Sequence, residues 1–365
     1  MGFPENLYIH AFNLLPEFGP ARLYKIGEHF KTFARAYIAS ANELVAGGIE
    51  PELAKKFCAL KNSVSLELET QRLAAENIFL ISYRDPAYPQ LLLETGRFPV
   101  LLYVKGRLEQ NDELCLAVVG TRKITTYGRS VTPALVEPLC LAGVVIVSGL
   151  AYGVDALAHH TAVKLGCRTI AVLGGGLDKK SLYPQNHALL AEEILAAGGA
   201  LVSEYPPATP CLRHHFISRN RIISGLAVGT LVVECDLDSG SLITARHALE
   251  QNRTVYAVPG PIYVPESRGP NNLIKMGGRL VSDARDILED LNLDSQNIGT
   301  ENQSLFGDSP TEIQLLKILR REPLAIDELI KLSGLSPAET SSALTFLEMK
   351  GKIRNLGGQQ YALSR

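Results

Sequence analysis

The sequence predicts an α/β protein with a doubly wound parallel sheet in the middle of the chain and helical modules at both ends. Three observations support this fold class. Short, near-continuous apolar runs alternate with amphipathic stretches over residues 81–291, which is typical of strands that helices cover on both faces. Apolar residues recur at helical spacing over residues 1–80. Residues 310–365 show three helical patterns followed by a hairpin.

The bulk composition excludes several classes of protein. A length of 365 residues and 46% hydrophobic content predict two or three domains with sizeable cores. The formal net charge of -2 argues against nucleic-acid binding through overall positive charge, so any such site must be a local basic cluster.

The six cysteines lack CxxC spacing, which favours free thiols in a reducing cytoplasm over a disulfide framework or zinc site. The N-terminus does not match a signal peptide. Apolar runs stay shorter than the ~18 residues that span a bilayer. We therefore expect a cytoplasmic protein without a membrane segment.

The N-terminal segment, residues 1–80, is expected to form short helices separated by turns. The turn-forming tripeptide Phe18–Pro20 lies inside Leu14–Ile26, a stretch that resembles a helix-hairpin-helix or SAM-like element. Such hairpins can present backbone amides to phosphate. The hairpin carries only Arg22 and Lys25, so a role in packing alone is at least as consistent with the sequence.

The central segment, residues 81–291, is expected to form the sheet. Helices are predicted at Tyr127–Leu141 and Ser241–Gln251, and an added strand precedes the repeated units at Pro99–Gly106. Repeated strand–helix units indicate parallel pairing with right-handed crossovers. The predicted parallel strands are Cys115–Val119, Val144–Val147, Thr169–Leu173, Ala200–Ser203, Thr230–Glu234 and Thr254–Val258.

The C-terminal segment follows a polar stretch, residues 292–309, that has the composition of a linker. Helical patterns at Thr311–Arg320, Ile326–Leu332 and Pro337–Lys350 precede two short strands around Gly357 and Gly358, which is the winged-helix pattern. The third helix would read DNA in a repressor, yet it carries Glu339 and Glu348 against Lys350 alone. We expect a protein-contact or dimer-modulating module, with weak DNA contact as the alternative.

The residues that follow each parallel strand are the candidates for a binding site, because ligands of open parallel sheets bind beyond the strand ends. Glycine clusters at Gly120–Lys123, Ser148–His160 and Gly174–Lys180 would let backbone amides approach phosphate closely. Basic side chains are concentrated in the same loops and in Arg213–Arg221. This pattern favours a phosphate or nucleic-acid site, although glycines at such turns can also serve packing alone.

Enzymatic interpretations find weaker support. The first loop is not GxGxxG, a GxxxxGK[ST] sequence is absent, and Ser148 lacks the GxSxG frame of a nucleophile elbow. Asp155 and His159 have i,i+4 spacing, which more commonly reflects a contact along a helix than a metal or acid–base pair. His159-His160 and His214-His215 lack a second cluster of ligands at metal spacing. We therefore expect neither a catalytic residue nor a metal or cofactor.

Seven sequence stretches between Ala117 and Gly278 resemble, in their order along the chain, the bacterial DNA-processing protein family DprA, also called Smf. They are VVGTRKITTYG, VSGLAYGVDALAHHTAV, TIAVLGGGLDKKSLYPQNHAL, LVSEYPP, FISRNRIISGLA, LVVECDLDSGSLITARHALEQNRTVYAVPG and GPNNLIKMGG. The resemblance implies an extended Rossmann-like domain that dimerises and binds single-stranded DNA without sequence preference. It further implies a SAM-like N-terminal domain and a role in natural transformation, where the protein protects incoming DNA and helps to load the RecA recombinase.

The resemblance also implies which residues contact DNA. By position in the family motifs they are Gly120, Thr121, Arg122, Ser148, Gly149, Gly174, Gly175, Gly176, Lys179, Phe216, Arg219, Asn220, Arg221, Ser239 and Gly240. Ser241 completes the SGS turn. The arginines and amides would hold phosphates, and Phe216 could stack a base or belong to the core. GTR stands where GSR is more frequent, and the threonine keeps the hydroxyl.

The sequence leaves two alternatives to single-stranded DNA binding. Related Rossmann-like enzymes that hydrolyse nucleoside monophosphates carry PGGxGTxxE, whereas Pro259-Gly260 continues here as PIYVP. A nucleotide-processing hydrolase is therefore the second hypothesis. A transcription regulator acting through the winged helix is the third, and the acidic third helix disfavours it.

Overall fold

The structure is a computed structural model that describes residues 3–109, 112, 114–293, 310–319, 324–350, 352–358 and 360–363. The chain divides into two compact units, residues 1–287 and 288–365. The linker predicted at residues 292–309 lies outside the described residues from residue 294 onward. No described helix is both long and apolar enough to cross a membrane.

The first unit begins with six short helices. Proline occupies the first turn of two of them, at Pro20 and Pro51, where its missing N–H costs no hydrogen bond. Their shared core includes Phe12 stacked on Phe57, with ring centroids 3.9 Å apart. The helices are α1 (Glu5–Asn13), α2 (Pro20–Phe30), α3 (Phe33–Ile38), α4 (Ala41–Ala46), α5 (Pro51–Ser63) and α6 (Leu66–Ala75).

The predicted sheet is confirmed as a nine-stranded, mainly parallel sheet with the order β1-β2-β6-β5-β4-β3-β7-β8-β9. The added strand predicted at Pro99–Gly106 is β2, which pairs antiparallel with β1 and β6. Strands β3 to β8 match the six predicted parallel strands within one or two residues. The strands are β1 (Phe79–Ser82), β2 (Leu101–Gly106), β3 (Cys115–Val119), β4 (Val145–Ser148), β5 (Thr169–Leu173), β6 (Ala200–Ser203), β7 (Gly229–Val232), β8 (Thr254–Ala257) and β9 (Arg279–Leu280).

The chain reverses its direction of travel across the sheet at β3. Strands β4, β5 and β6 extend the sheet on one side of β3, and β7, β8 and β9 extend it on the other. This order creates a topological switch point beside β3, where open α/β sheets bind ligands. The helices of this part are α7 (Gln90–Leu93), α8 (Thr126–Leu141), α9 (Val154–Lys164), α10 (Ala188–Ala196), α11 (Arg213–Gly225), α12 (Gly240–Glu250), α13 (Pro265–Lys275) and α14 (Ala284–Asp290).

The second unit has the predicted winged-helix elements. A three-stranded sheet of order β10-β12-β11 accompanies three helices around a core of leucines such as Leu315 and Leu344. Ser336 and Glu339 form a capping box that fixes the start of the third helix. The elements are α15 (Pro310–Leu319), β10 (Leu324–Ala325), α16 (Ile326–Ser333), α17 (Pro337–Met349), β11 (Ile353–Gly357) and β12 (Gln360–Leu363).

Candidate nucleic-acid interface

The loops after β3, β4 and β5 end at one edge of the sheet, together with the first half of α11, and we call this surface the rim. The loops after β3 and β4 are locked together, since Val154 N donates to the Thr121 carbonyl (3.2 Å). Gly153 has a φ of 79°, and a Cβ there would overlap the same Thr121 oxygen. Only glycine satisfies both conditions without strain.

A cluster of one exposed cation, one exposed aromatic ring and one partly exposed aromatic ring occupies the rim. The guanidinium carbon of Arg122 lies 5.2 Å from the ring centroid of Phe216, within cation–π range. The ring of Tyr183 lies 5.7 Å from that of Phe216, and Tyr183 is 46% exposed. Aromatic faces flanked by a cation are what sequence-tolerant binding of single strands requires.

Further exposed cations lie on the elements that form the rim. Lys123, Lys179, Lys180 and Arg213 are exposed on the same loops and at the start of α11. Gln185 fixes the backbone that carries the lysine pair by donating from Nε2 to the Lys180 and Leu182 carbonyls (3.1 and 2.8 Å).

The acidic residues within these loops are turned inward. Asp178 is 9% exposed and accepts hydrogen bonds from Ala208 N (2.6 Å) and Ser181 N (3.2 Å). Asp155, at the start of α9, is 6% exposed and accepts from Gly149 N (3.0 Å), and its burial raises its pKa. The outer face of the rim loops is therefore dominated by positive charge.

Arg219 lies beneath the rim. It is 3% exposed, and its Nη1 donates to the Gly149 carbonyl (2.7 Å) and to the Val172 carbonyl. Burial lowers its pKa to about 10. Its guanidinium carbon lies 5.9 Å from the Phe216 ring, on which Arg122 also packs. Arg219 thus supports the rim from inside, whereas the sequence predicts that it holds phosphate.

Three other residues that were predicted to contact DNA make hydrogen bonds within the protein. Arg221 pairs with both Glu204 oxygens (2.5 and 2.6 Å) and donates to the Arg97 carbonyl (2.6 Å). Asn220 Nδ2 donates to the Gly240 carbonyl (3.1 Å), which joins α11 to the start of α12. Ser239, another predicted DNA contact, caps the start of α12, and its hydroxyl lies 2.7 Å from that of Ser241.

Several backbone amides expected at phosphate already have partners. Thr121 N donates to Glu234 O (2.7 Å), Gly149 N to Asp155 Oδ2 (3.0 Å) and Gly176 N to Thr209 O (2.9 Å). Ser148 is buried and its hydroxyl donates to the Val118 carbonyl (2.6 Å). A Cβ on Gly120 or Gly175 would lie 2.5 or 2.6 Å from a neighbouring side chain, and Gly174 is also buried. At these positions the geometry fits close packing, whereas the side chains of Arg122 and Lys179 are exposed and that of Phe216 is partly exposed.

A carboxylate occupies the start of the helix that follows β3. Glu234 is 3% exposed and accepts from Thr125 N and Thr125 Oγ1, both at 2.7 Å. A Cβ on Gly128 would overlap this carboxylate. In dinucleotide-binding Rossmann folds the pyrophosphate sits at the equivalent helix N-terminus. Here a negative side chain fills that position.

Two aromatic residues of the rim were not predicted. Besides Tyr183, Tyr152 is 40% exposed in the loop after β4, with its ring 4.8 Å from that of His187. His187 Nδ1 contacts the Leu150 carbonyl (2.8 Å), which couples the loops after β4 and β5. The sequence does show one tyrosine in the loop after β4 and one in the loop after β5, and this pattern could have indicated them. Among the described residues, no group of three or more His, Cys, Asp or Glu is arranged to hold a metal ion.

Two family models match most of the chain. The family model of DNA recombination-mediator protein A matches residues 79–292, and that of the DprA winged helix domain matches residues 300–359. Protein Smf of Escherichia coli is 39% identical over 324 residues, covering 87% of this chain and 86% of that protein. DNA processing protein DprA of Bacillus subtilis is 39% identical over 242 residues, covering 65% and 80%.

Two solved structures are similar over much of the chain. DprA of Streptococcus pneumoniae superimposes with a TM-score of 0.67 at 32% identity, covering 80% of this chain and 99% of that one. DNA processing protein A of Helicobacter pylori, whose structure concerns its single-stranded DNA binding mode, gives a TM-score of 0.53 at 28% identity, covering 60% and 98%.

Proposed function

Because the chain belongs to the DNA recombination-mediator protein A family, we propose that it binds single-stranded DNA at the rim and acts by binding, without catalysing a reaction. Within that role it protects incoming strands and helps to load the RecA recombinase during natural transformation. The single-stranded DNA binding of the Helicobacter pylori relative supports the choice of ligand.

The observation that carries the proposal is the cluster of exposed Arg122 and Tyr183 with the partly exposed Phe216, with exposed lysines on the same loops. Aromatic faces stack bases of any identity, and each stacked base contributes about 1–3 kcal/mol. The cations release counterions from the backbone, so the affinity falls as salt rises. Together these two contributions give binding without sequence readout.

The test is a titration of a fluorescent dT oligomer of about 20 nucleotides, long enough to cover a single-strand site. Arg122→Ala is expected to weaken binding about tenfold and to reduce the slope of log affinity against log salt by about 0.7, since one phosphate contact is lost. Lys164→Ala, at the far end of α9, is the matched control and should bind like the native protein. Equal affinities for the two variants would remove the rim from the proposal.

The alternative of a nucleotide-processing hydrolase meets an obstacle in the structure. The buried Glu234 carboxylate lies where a nucleotide phosphate would bind at the start of α8, and two like charges repel there. Incubation with nucleoside monophosphates, followed by chromatography for free base, separates the two functions. Release of base would favour the hydrolase.

We further propose that two copies of the chain associate as a homodimer through the β9 edge of the sheet. Strand β9 has two residues, and one of them, Leu280, is 49% exposed. Met276, shortly before this strand, is 70% exposed. Exposed apolar groups at a sheet edge are typical of association surfaces. Light scattering should give a dimer mass for the native chain and a monomer mass for Leu280→Asp. A native monomer would contradict this part of the proposal.

The RecA contact and the compartment complete the proposal. RecA loading predicts faster formation of RecA filaments on single strands coated by a single-strand-binding protein, and no acceleration would contradict it. The six cysteines are free, as suits a protein of the reducing cytoplasm.

A further inference from the structure

A cavity of about 1060 Å³ lies between the N-terminal helices and the sheet, outside the rim. One wall lies within residues 13–24, from the end of α1 through the turn into the start of α2, and the opposite wall is the loop after β6 with one face of α11. Both walls belong to the same compact unit. The volume lies at the upper end of the range of small-molecule sites.

The lining combines apolar walls with aromatic and charged groups. Leu14, Leu15 and Pro16 contribute apolar surface. The ring of Tyr205 stacks on that of His215 with centroids 4.1 Å apart and an interplanar angle of 21°. Burial lowers the pKa of His215, which keeps this ring neutral near pH 7. Neutral flat surfaces of this kind suit another flat ring.

A partly buried ion pair also lines the cavity. Arg221 and Glu204 are 15% and 13% exposed at their side chains, and the pair offers both donors and acceptors to a ligand. Enzymes that capture unstacked bases read them in this manner, by hydrogen bonds to the base edge between aromatic and apolar walls.

The cavity and the rim share helix α11, and a hydrogen bond joins the loops that form parts of each. On α11, Phe216 and Arg219 face the rim, whereas Ser218 and Arg221 line the cavity. The loop after β6 is fastened to the loop after β5, because Gly176 N donates to the Thr209 carbonyl (2.9 Å). Leu212 and His214, both exposed, line the cavity next to these elements. A single strand that passes from the loop after β5 to the bonded loop after β6 would therefore meet both the rim and the cavity.

We propose that the cavity receives one unstacked nucleobase of the same single strand that the rim holds. The inference rests on the proposed function and adds a second, deeper subsite to it. The N-terminal helices then contribute one wall of the binding site in addition to their packing role. The sugar–phosphate backbone stays outside, beside the cations of the rim.

The test uses the full chain and a dT oligomer of about 20 nucleotides with 5-iododeoxyuridine at spaced positions, which cross-links to aromatic residues on irradiation. Mass spectrometry of the peptides then locates the contacts. We expect cross-links at Tyr205 or His214 in addition to those at Tyr183 or Phe216.

A variant that fills the cavity supplies the control. Ala21→Trp places a large ring at the cavity wall, and Glu28→Trp places the same ring on an exposed part of the same helix outside the lining. We expect Ala21→Trp to abolish the cavity cross-links, keep those at the rim and weaken binding about fivefold, the loss of one stacked base. Glu28→Trp should match the native protein.

The outcomes separate the two proposals. Cross-links confined to the rim, or native affinity in Ala21→Trp, would overturn the cavity subsite and leave the proposed function standing. Cross-links absent from both the rim and the cavity would remove both.

Discussion

Arg219 belongs to a predicted DNA-binding motif but makes its contacts inside the fold. Its guanidinium bonds the Gly149 and Val172 carbonyls and is 3% exposed. Removing it leaves two buried acceptors without a donor and opens a void. Arg219→Ala should lower the free energy of unfolding by about 2–4 kcal/mol in urea titrations.

The same variant distinguishes support from direct contact. A structural role predicts that Arg219→Ala lowers stability and that DNA affinity falls with it, because the loop after β4 is displaced. A direct phosphate contact predicts reduced affinity at native stability. Arg122→Ala should show that second pattern, since Arg122 is exposed and makes its ring contact at the surface.

His159 makes stability depend on pH. It is fully buried, its Nδ1 lies 2.7 Å from Thr169 Oγ1, and burial with nearby positive charge lowers its pKa from 6.5 to about 3. Between these two pKa values, His159 is protonated in the unfolded chain but neutral in the folded chain. The folded state therefore loses stability as the pH falls below about 6.5. The contribution between pH 7 and pH 5 is about 2 kcal/mol.

The variant His159→Asn tests this contribution. Asparagine keeps a polar atom near the Nδ1 position but does not titrate. Urea titrations at pH 7 and pH 5 should show a smaller loss of stability in the variant than in the native protein. Identical losses would show that other groups cause the acid sensitivity.

At the scale of elements, the loop after β4 is held by the backbone of the loop after β3. Gly153→Ala forces a Cβ against the Thr121 carbonyl at a φ of 79°. Gly166 also has a positive φ, 68°, but a Cβ there meets nothing within 4 Å. Gly166→Ala should therefore cost only the left-handed strain of about 1–2 kcal/mol.

Gly153→Ala should cost clearly more than its control, and it should weaken DNA binding because Arg122 follows Thr121 directly. Thermal unfolding and the dT titration measure the two effects. Equal destabilisation by the two substitutions would show that the loops do not depend on each other's position.

The sequence predicts the elements better than the side chains between them. Apolar runs located strands β3 to β8, because burial on both faces leaves a continuous pattern. The two-residue strand β9, which pairs parallel with β8, is exposed and was not predicted. The strand predicted at Thr230–Glu234 ends at Val232, and Glu234 beyond it bonds Thr125, a residue more than a hundred positions earlier. The hydrophobic pattern of one segment carries no information about a contact with a segment so distant in the sequence.

The arginines of α11 show the same limit. Successive helical residues are rotated by about 100°, so Arg219 and Arg221 point to nearly opposite sides. One arginine supports the rim and the other lines the cavity. The sequence shows that a helix carries these charges, but its rotation is fixed by packing against the sheet. Tyr183 was missed for a related reason, since its partner Phe216 lies on another element.

At the scale of the whole molecule, the proposed DNA contacts all lie in the first unit, residues 1–287. The winged-helix unit has a leucine core of its own. Its third helix, Pro337–Met349, contains no Lys, Arg, Asn or Gln, the residues that read base edges. We therefore propose that this unit contacts protein rather than DNA.

Truncation after residue 293 tests that division of roles. The shortened chain keeps the whole sheet and α14, so it should unfold cooperatively and bind the dT oligomer within about twofold of the full chain, a change of less than 0.5 kcal/mol. Acceleration of RecA filament formation should decline in the same preparation if the winged helix makes the protein contact. A truncated chain that folds normally but binds DNA at least tenfold more weakly would instead assign a substantial share of the DNA contact to the winged helix, despite its acidic third helix.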